Sequence, residues 1–141
     1  MKALKITLIV VGVLVVLVVG GGYAAKVWFQ HHKGELIALR NEGRTFGTGK
    51  IAARCVDETL TRHGQGTPSF SATLNQSIFL GGCLDTADSV AAVCATNPDH
   101  SLIGDAKWIG ALCRERGLAD PYCANSLQPL TRACKPNQQA G

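Results

Sequence analysis

Charge is absent from the chain between Lys5 and Lys26, and polar side chains nearly so. The twenty residues Ile6 to Ala25 include a run from Leu8 to Val19 that is branched aliphatic apart from Gly12. A helix rises about 1.5 Å per residue, so such a segment covers the roughly 30 Å of a bilayer's hydrocarbon core. The pattern predicts a membrane-spanning helix bounded by Ile6 and Ala25. Tyr23, Trp28 and Phe29 come next, with His31, His32 and Lys33 beyond them. That is the order in which a helix passes through an aromatic interfacial belt into the headgroup layer. A cleaved signal peptide is the competing reading, with Lys2 and Lys5 as its basic region and Gly22-Tyr23-Ala24 as its cleavage site. The apolar stretch exceeds the roughly 7–15 residues of an ordinary signal core, which favours a retained signal-anchor.

Beyond residue 33 the pattern changes. Residues 34–49 carry Gly34, Gly43, Gly47 and Gly49, which predicts a stalk over 34–48 with one helical turn around Leu36 to Arg40. Four helical segments follow. The first, from about Gly49 to His63, repeats Ala52, Cys55, Val56, Thr59 and Leu60 at helical spacing, and Gly64 suits its end. The second runs from about Ser69 to Ala95. Gly81-Gly82 is expected to kink or divide it, and Cys83, Ala87, Val90 and Cys94 form its apolar stripe. The third runs from about Ser101 to Arg116, and Gly117-Leu118 fits a Schellman ending. The fourth opens at Asp120-Pro121, an N-cap followed by proline at N1, and Pro129 should kink it. Strand patterning is poor throughout. The expected fold is all-α: a single N-terminal transmembrane helix, then a small disulfide-stapled domain of about four helices. The expected boundaries are anchor and interfacial segment 1–33, stalk 34–48, cysteine-rich helical domain 49–136 and flexible tail 137–141. Phe70, Phe79, Trp108 and Tyr122 are its few large aromatic residues, so the core is thin and disulfides matter to stability.

The net charge of +4 suggests nucleic-acid binding until it is located. Residues 1–44 hold six basic residues against Glu35 and Glu42, and the other ninety-seven hold eight of each sign. The excess therefore lies beside the apolar segment, where anionic headgroups account for it, and no nucleic-acid partner is expected.

Sidedness draws on two signals. Lys26, Lys33, Arg40 and Arg44 outnumber Lys2 and Lys5, which by the positive-inside rule slightly favours a cytoplasmic C-terminal part. The cysteines outweigh this. Cys55, Cys83, Cys94, Cys113, Cys123 and Cys134 all follow the apolar segment, and an even, dense set of this kind reads as a disulfide framework in an oxidising compartment. The domain is thus expected on the extracytoplasmic side, in a periplasm, a cell exterior or a secretory lumen.

Six cysteines allow fifteen pairings. Residues eleven apart on one straight helix are about 16 Å apart, beyond disulfide reach, which disfavours Cys83–Cys94 and Cys123–Cys134 if both helices are continuous. In an up-down bundle Cys55 and Cys83 lie at similar levels, and Cys113 and Cys123 flank a short turn. Cys94–Cys134 remains. The nine-residue gap between Cys113 and Cys123 resembles that of twin CX9C proteins, but it occurs once, and Gly117 and Pro121 break the helix that motif needs. The six-cysteine helical pattern resembles saposin-like lipid binders in number but not in spacing. No family is assigned.

Chemical signatures are missing. There is no CxxC, CxxCH, GxSxG or HExxH, and Gly47-Thr48-Gly49-Lys50 lacks the rest of a phosphate loop. Asp85 and Asp88 share a helix face and read as solvated, His63 as a helix-end residue and His31-His32 as interfacial. Asn75-Gln76-Ser77 fits a glycosylation sequon set in a helix. No catalytic residue, cofactor or metal is expected, and the chain is not expected to be an enzyme. The expected partners are membrane lipid, through the N-terminal helix, and another protein. The leading expectation is a membrane-anchored interaction or structural module, an accessory subunit of a membrane assembly. The alternative is a carrier of lipid or another apolar small molecule.

Overall fold

A computed structural model describes residues 2–135. Among them are seven helices: α1 (Lys2–Gly47), α2 (Ala52–Gln65), α3 (Phe70–Thr86), α4 (Val90–Cys94), α5 (Leu102–Glu115), α6 (Pro121–Ser126) and α7 (Gln128–Ala133). They contain no strand, only an isolated parallel bridge between Ile51 and Asp88. The protein is all-α, as the apolar periodicities predicted.

The chain divides into two compact units, Met1–Glu35 and Leu36–Gly141. The first contains an apolar helical stretch, Val10–Val27, long and apolar enough to cross a bilayer and with none of it buried. Tyr23 is exposed within it. The side chains of Ile6, Trp28 and Phe29 and the tail at 137–141 lie outside the described residues.

The second unit opens with helix, where a stalk was expected. The last three turns of α1, Leu36 to Gly47, belong to this unit and lie directly against α3. Gly43 and Gly47, two of the glycines that predict a stalk, instead allow close approach. A Cβ on Gly43 would overlap the Phe79 carbonyl oxygen and come within 2.9 Å of the Cys83 nitrogen. One on Gly47 would overlap the Cys83 carbonyl oxygen, and one on Gly82 the Arg40 carbonyl oxygen. Only helices bare of side chains at the crossing can pack backbone to backbone in this way. The Thr86 hydroxyl donates across the contact to the Arg44 carbonyl at 2.7 Å. The helix then stops, because Gly49 adopts a positive φ of 70° and turns the chain. The turn is clamped by two backbone bonds, Ala52 N–H to Asp88 O and Asp88 N–H to Lys50 O, each 2.8 Å.

The four expected segments become six helices. The second segment passes through Gly81-Gly82 without a break and divides at Ala87–Ser89 instead, where Ser89 has a left-handed φ of 59°. Gly82 packs against α1 at this point, and the helix does not divide there. The fourth segment divides at Leu127, and this relocates Pro129 from a helix interior to the first turn of α7, where its missing N–H costs little. The caps follow sequence. Ser69 accepts from Ala72 N–H, Ser101 from Gly104 N–H, and Asp120 from Tyr122 and Cys123 N–H. Gly117 has φ 69° and Leu118 N–H reaches the Cys113 carbonyl at 3.0 Å, the six-to-one bond of a Schellman ending.

The core lies between α2, α3, α5, α6 and α7. Leu80, Leu127 and Leu130 are fully buried, Ile109 and Phe79 nearly so, and Ala and Cys fill much of the rest. Each fully buried Leu or Phe contributes about 1.5–3 kcal/mol by the hydrophobic effect. Phe70, expected among the core aromatics, is 73% exposed at the first residue of α3. Three disulfides join Cys55 to Cys83, Cys94 to Cys134 and Cys113 to Cys123, and among the described residues no cysteine is free. They staple α2 to α3, α4 to the end of α7, and α5 to α6.

Candidate functional site

All six cysteines are buried as well as paired, so none of them offers an accessible thiol. Of the histidines, His63 occupies the most constructed site. It is 2% exposed in the last turn of α2. Its Nδ1 lies 2.8 Å from Gln76 Oε1 of α3, and its Nε2 lies 2.8 Å from Asp120 Oδ2 at the start of α6. Asp120 also accepts from the Tyr122 and Cys123 amides. Burial pushes the Asp120 carboxyl up, but the bond with His63 and those two amides outweigh it and hold the carboxyl below the usual carboxylate range. Every ring nitrogen is engaged and the ring is enclosed, so the arrangement ties three helices together and leaves no face open to a substrate. The helix-end reading of His63 located the residue correctly, but Gln76 and Asp120 are far away in sequence and gave no local signal.

The loop before α5 is built differently. Asn97 is buried, donates to Asp105 Oδ1 at 2.7 Å and accepts from the Asp99 amide. Asp99 in turn accepts from the Ser101 amide and hydroxyl, and these bonds hold its carboxyl below the usual range. Gly104 sits so close beneath Asp99 that a Cβ there would overlap its carbonyl oxygen. Trp108 donates its indole N–H to the Thr96 hydroxyl at 3.1 Å. This fixed loop leads directly into Leu102 and Ile103, which are 84% and 70% exposed. Isolated exposed apolar residues are common, but an adjacent pair in the first turn of a helix that Ser101 caps is a candidate contact point.

A third feature is an open groove of about 770 Å3 between α3, α4 and α7. Ile78, Val90 and Pro129 contribute apolar walls, and Arg40, Asp85 and Arg132 stand at its edges. Asp85, expected to be merely solvated, takes Arg40 at 2.9 Å and Arg44 at 3.5 Å. Asp88 serves the backbone clamp described above and does not join Asp85 in a carboxylate pair. His31 and His32 meet edge to face at 5.6 Å. Among the described residues no group of three or more His, Cys, Asp or Glu gathers as a metal would require. Neither the groove nor the Leu102–Ile103 pair was signalled by local sequence: one depends on where α3 ends, the other on how the preceding loop is bonded. Comparison with known proteins adds no relative: no family model, no curated protein and no solved structure matches this chain.

Proposed function

We propose that this chain is a single-pass membrane protein whose disulfide-stapled helical domain stands on the extracytoplasmic side and acts as an interaction or structural module, an accessory subunit of a membrane assembly. The exposed Leu102–Ile103 pair carries the reading. Burying either side chain is worth about 1.5–3 kcal/mol, yet both are exposed in the first turn of a helix that Ser101 caps. A surface of this kind gains free energy when a partner covers it, and aliphatic anchors on a rigid frame lose little entropy on binding. The apolar helix supports membrane attachment, and six buried, paired cysteines support an oxidising compartment. The enclosed His63 site and the absence of a free thiol favour a binding role over a catalytic one.

The test is a photo-crosslinking residue placed at Leu102 in the full chain in its own membrane. The expected result is one adduct of discrete mass, weakened by Ile103→Ser. A clean monomer in detergent with no cross-linked neighbour overturns the proposal.

A further inference from the structure

We infer that the groove between α3, α4 and α7 binds an extended acidic segment of a partner protein, one that alternates carboxylates with apolar side chains. This rests on the interaction-module reading and specifies the chemistry of what that module recognises.

The charge balance at the groove is the first argument. Arg40 and Arg132 line the groove with one carboxylate, Asp85, and Arg44 reaches that carboxylate from outside the lining. Asp85 is divided between Arg40 and Arg44, and Arg132 makes no ion pair among the described residues. The lining therefore carries an excess of one positive charge, and its unpaired guanidinium is Arg132. A guanidinium presents a planar fork that suits a carboxylate, and a net positive lining favours ligands of the opposite sign.

The walls supply the second argument. Ile78, Val90 and Pro129 are half-buried and reach the groove surface, so they offer apolar contact between the charged edges. The groove is open along its side, which suits a chain laid across it. An acyl chain placed there would stay in contact with water, so the geometry favours a peptide over a lipid tail.

The third argument is rigidity. The Cys94–Cys134 disulfide ties α4 to the end of α7, two of the helices that line the groove. Cys55–Cys83 and the glycine crossing fix α3, the third, against α2 and α1. A site held in place before binding loses less ordering entropy when its ligand arrives.

The test uses the full chain in neutral phosphatidylcholine nanodiscs and a fluorescein-labelled synthetic peptide with leucines spaced between glutamates. Two control peptides carry lysine for glutamate or serine for leucine. Anisotropy should rank the acidic-apolar peptide tightest, by roughly tenfold over each control. Arg132→Glu should remove that preference and improve binding of the lysine peptide, while Val90→Glu should weaken the acidic peptide without touching an ion pair. Arg116→Glu, outside the groove, should leave it unchanged. Equal affinity for the three peptides, or an Arg132→Glu variant that folds and binds as before, overturns the inference. Displacement of the peptide by phosphatidylglycerol vesicles, but not by a second unlabelled acidic peptide, assigns the groove to a lipid headgroup and also overturns it. Failure here with a discrete adduct still formed at Leu102 removes the groove but leaves the module reading standing.

Discussion

Gly82→Ala and Gly81→Ala change neighbouring residues of one helix in the same way, and the structure assigns them opposite outcomes. Alanine is favoured over glycine in a helix interior by about 1 kcal/mol, so propensity alone stabilises both. At Gly81 the nearest atom to a new Cβ is the Pro129 Cβ at 3.9 Å, an ordinary contact. That variant should gain about 0.5–1 kcal/mol. At Gly82 the new atom would lie 3.0 Å from the Arg40 carbonyl carbon and overlap the oxygen bonded to it. Backbone cannot rotate away as a side chain tip does, so α1 must lift off α3. Overpacking of this kind costs about 1–3 kcal/mol, and separating the helices also threatens the Thr86–Arg44 hydrogen bond, worth about 1 kcal/mol. After the propensity gain, Gly82→Ala should lose about 1–3 kcal/mol, a gap of about 2–4 kcal/mol between the two variants. In a folded unit of this size that is a difference in Tm of roughly 10 °C or more. Thermal unfolding of the full chain in detergent micelles, followed by circular dichroism, reads it directly. A Gly82→Ala variant as stable as Gly81→Ala would refute the backbone crossing.

Chain-entropy arithmetic on closed loops of 28, 40 and 10 residues gives about 3.6, 3.9 and 2.7 kcal/mol for Cys55–Cys83, Cys94–Cys134 and Cys113–Cys123. Paired Cys→Ser variants should therefore lose least at Cys113–Cys123, and unfolding midpoints that place it first would contradict this. Intact mass after thiol alkylation should show no modified cysteine before reduction, and several modified residues would mean that the domain matures in a reducing compartment. Asp120→Ala removes the α6 cap and leaves His63 Nε2 buried without an acceptor, at a combined cost of about 2–4 kcal/mol. Because the Asp120 carboxyl is held below its ordinary value, its contribution is fully present above the unfolded value of about 3.9 and is lost as pH falls through the lowered folded value. Wild type should accordingly lose more stability than Asp120→Asn on acidification below about pH 4, and parallel stability curves would exclude the His63–Asp120 bond as the source.

Local patterns predicted most of the helices, because an apolar stripe, a serine or aspartate cap and a terminal glycine all act within a few residues. Ser101, Gly117 and Asp120-Pro121 mark helix ends at those positions for the reasons their chemistry supplies. What escaped was whatever depends on a distant neighbour. Gly43 and Gly47 look like linker residues until α3 is placed against them, and Gly82 looks like a kink until α1 is. The structure joins the pairs that helix geometry favoured, yet the premise of continuous helices fails twice: Cys83 and Cys94 are separated by the break at Ala87–Ser89, and Cys123 and Cys134 by the one at Leu127. The groove and the Leu102–Ile103 surface are tertiary products and left no mark on local periodicity.

The order of the cysteines along the chain bears on how the domain matures. Cys113–Cys123 is nested inside Cys94–Cys134, and Cys55–Cys83 stands apart on the N-terminal side. On a chain delivered to an oxidant from its N-terminal end, Cys55 meets Cys83 first and pairs correctly. Cys94 then meets Cys113 before either correct partner has emerged. A sequential oxidant would join those two, and the error can be undone only by thiol–disulfide exchange. Under sequential oxidation, maturation would therefore need one editing step, and a trapped Cys94–Cys113 species in quenched, alkylated intermediates would be its signature.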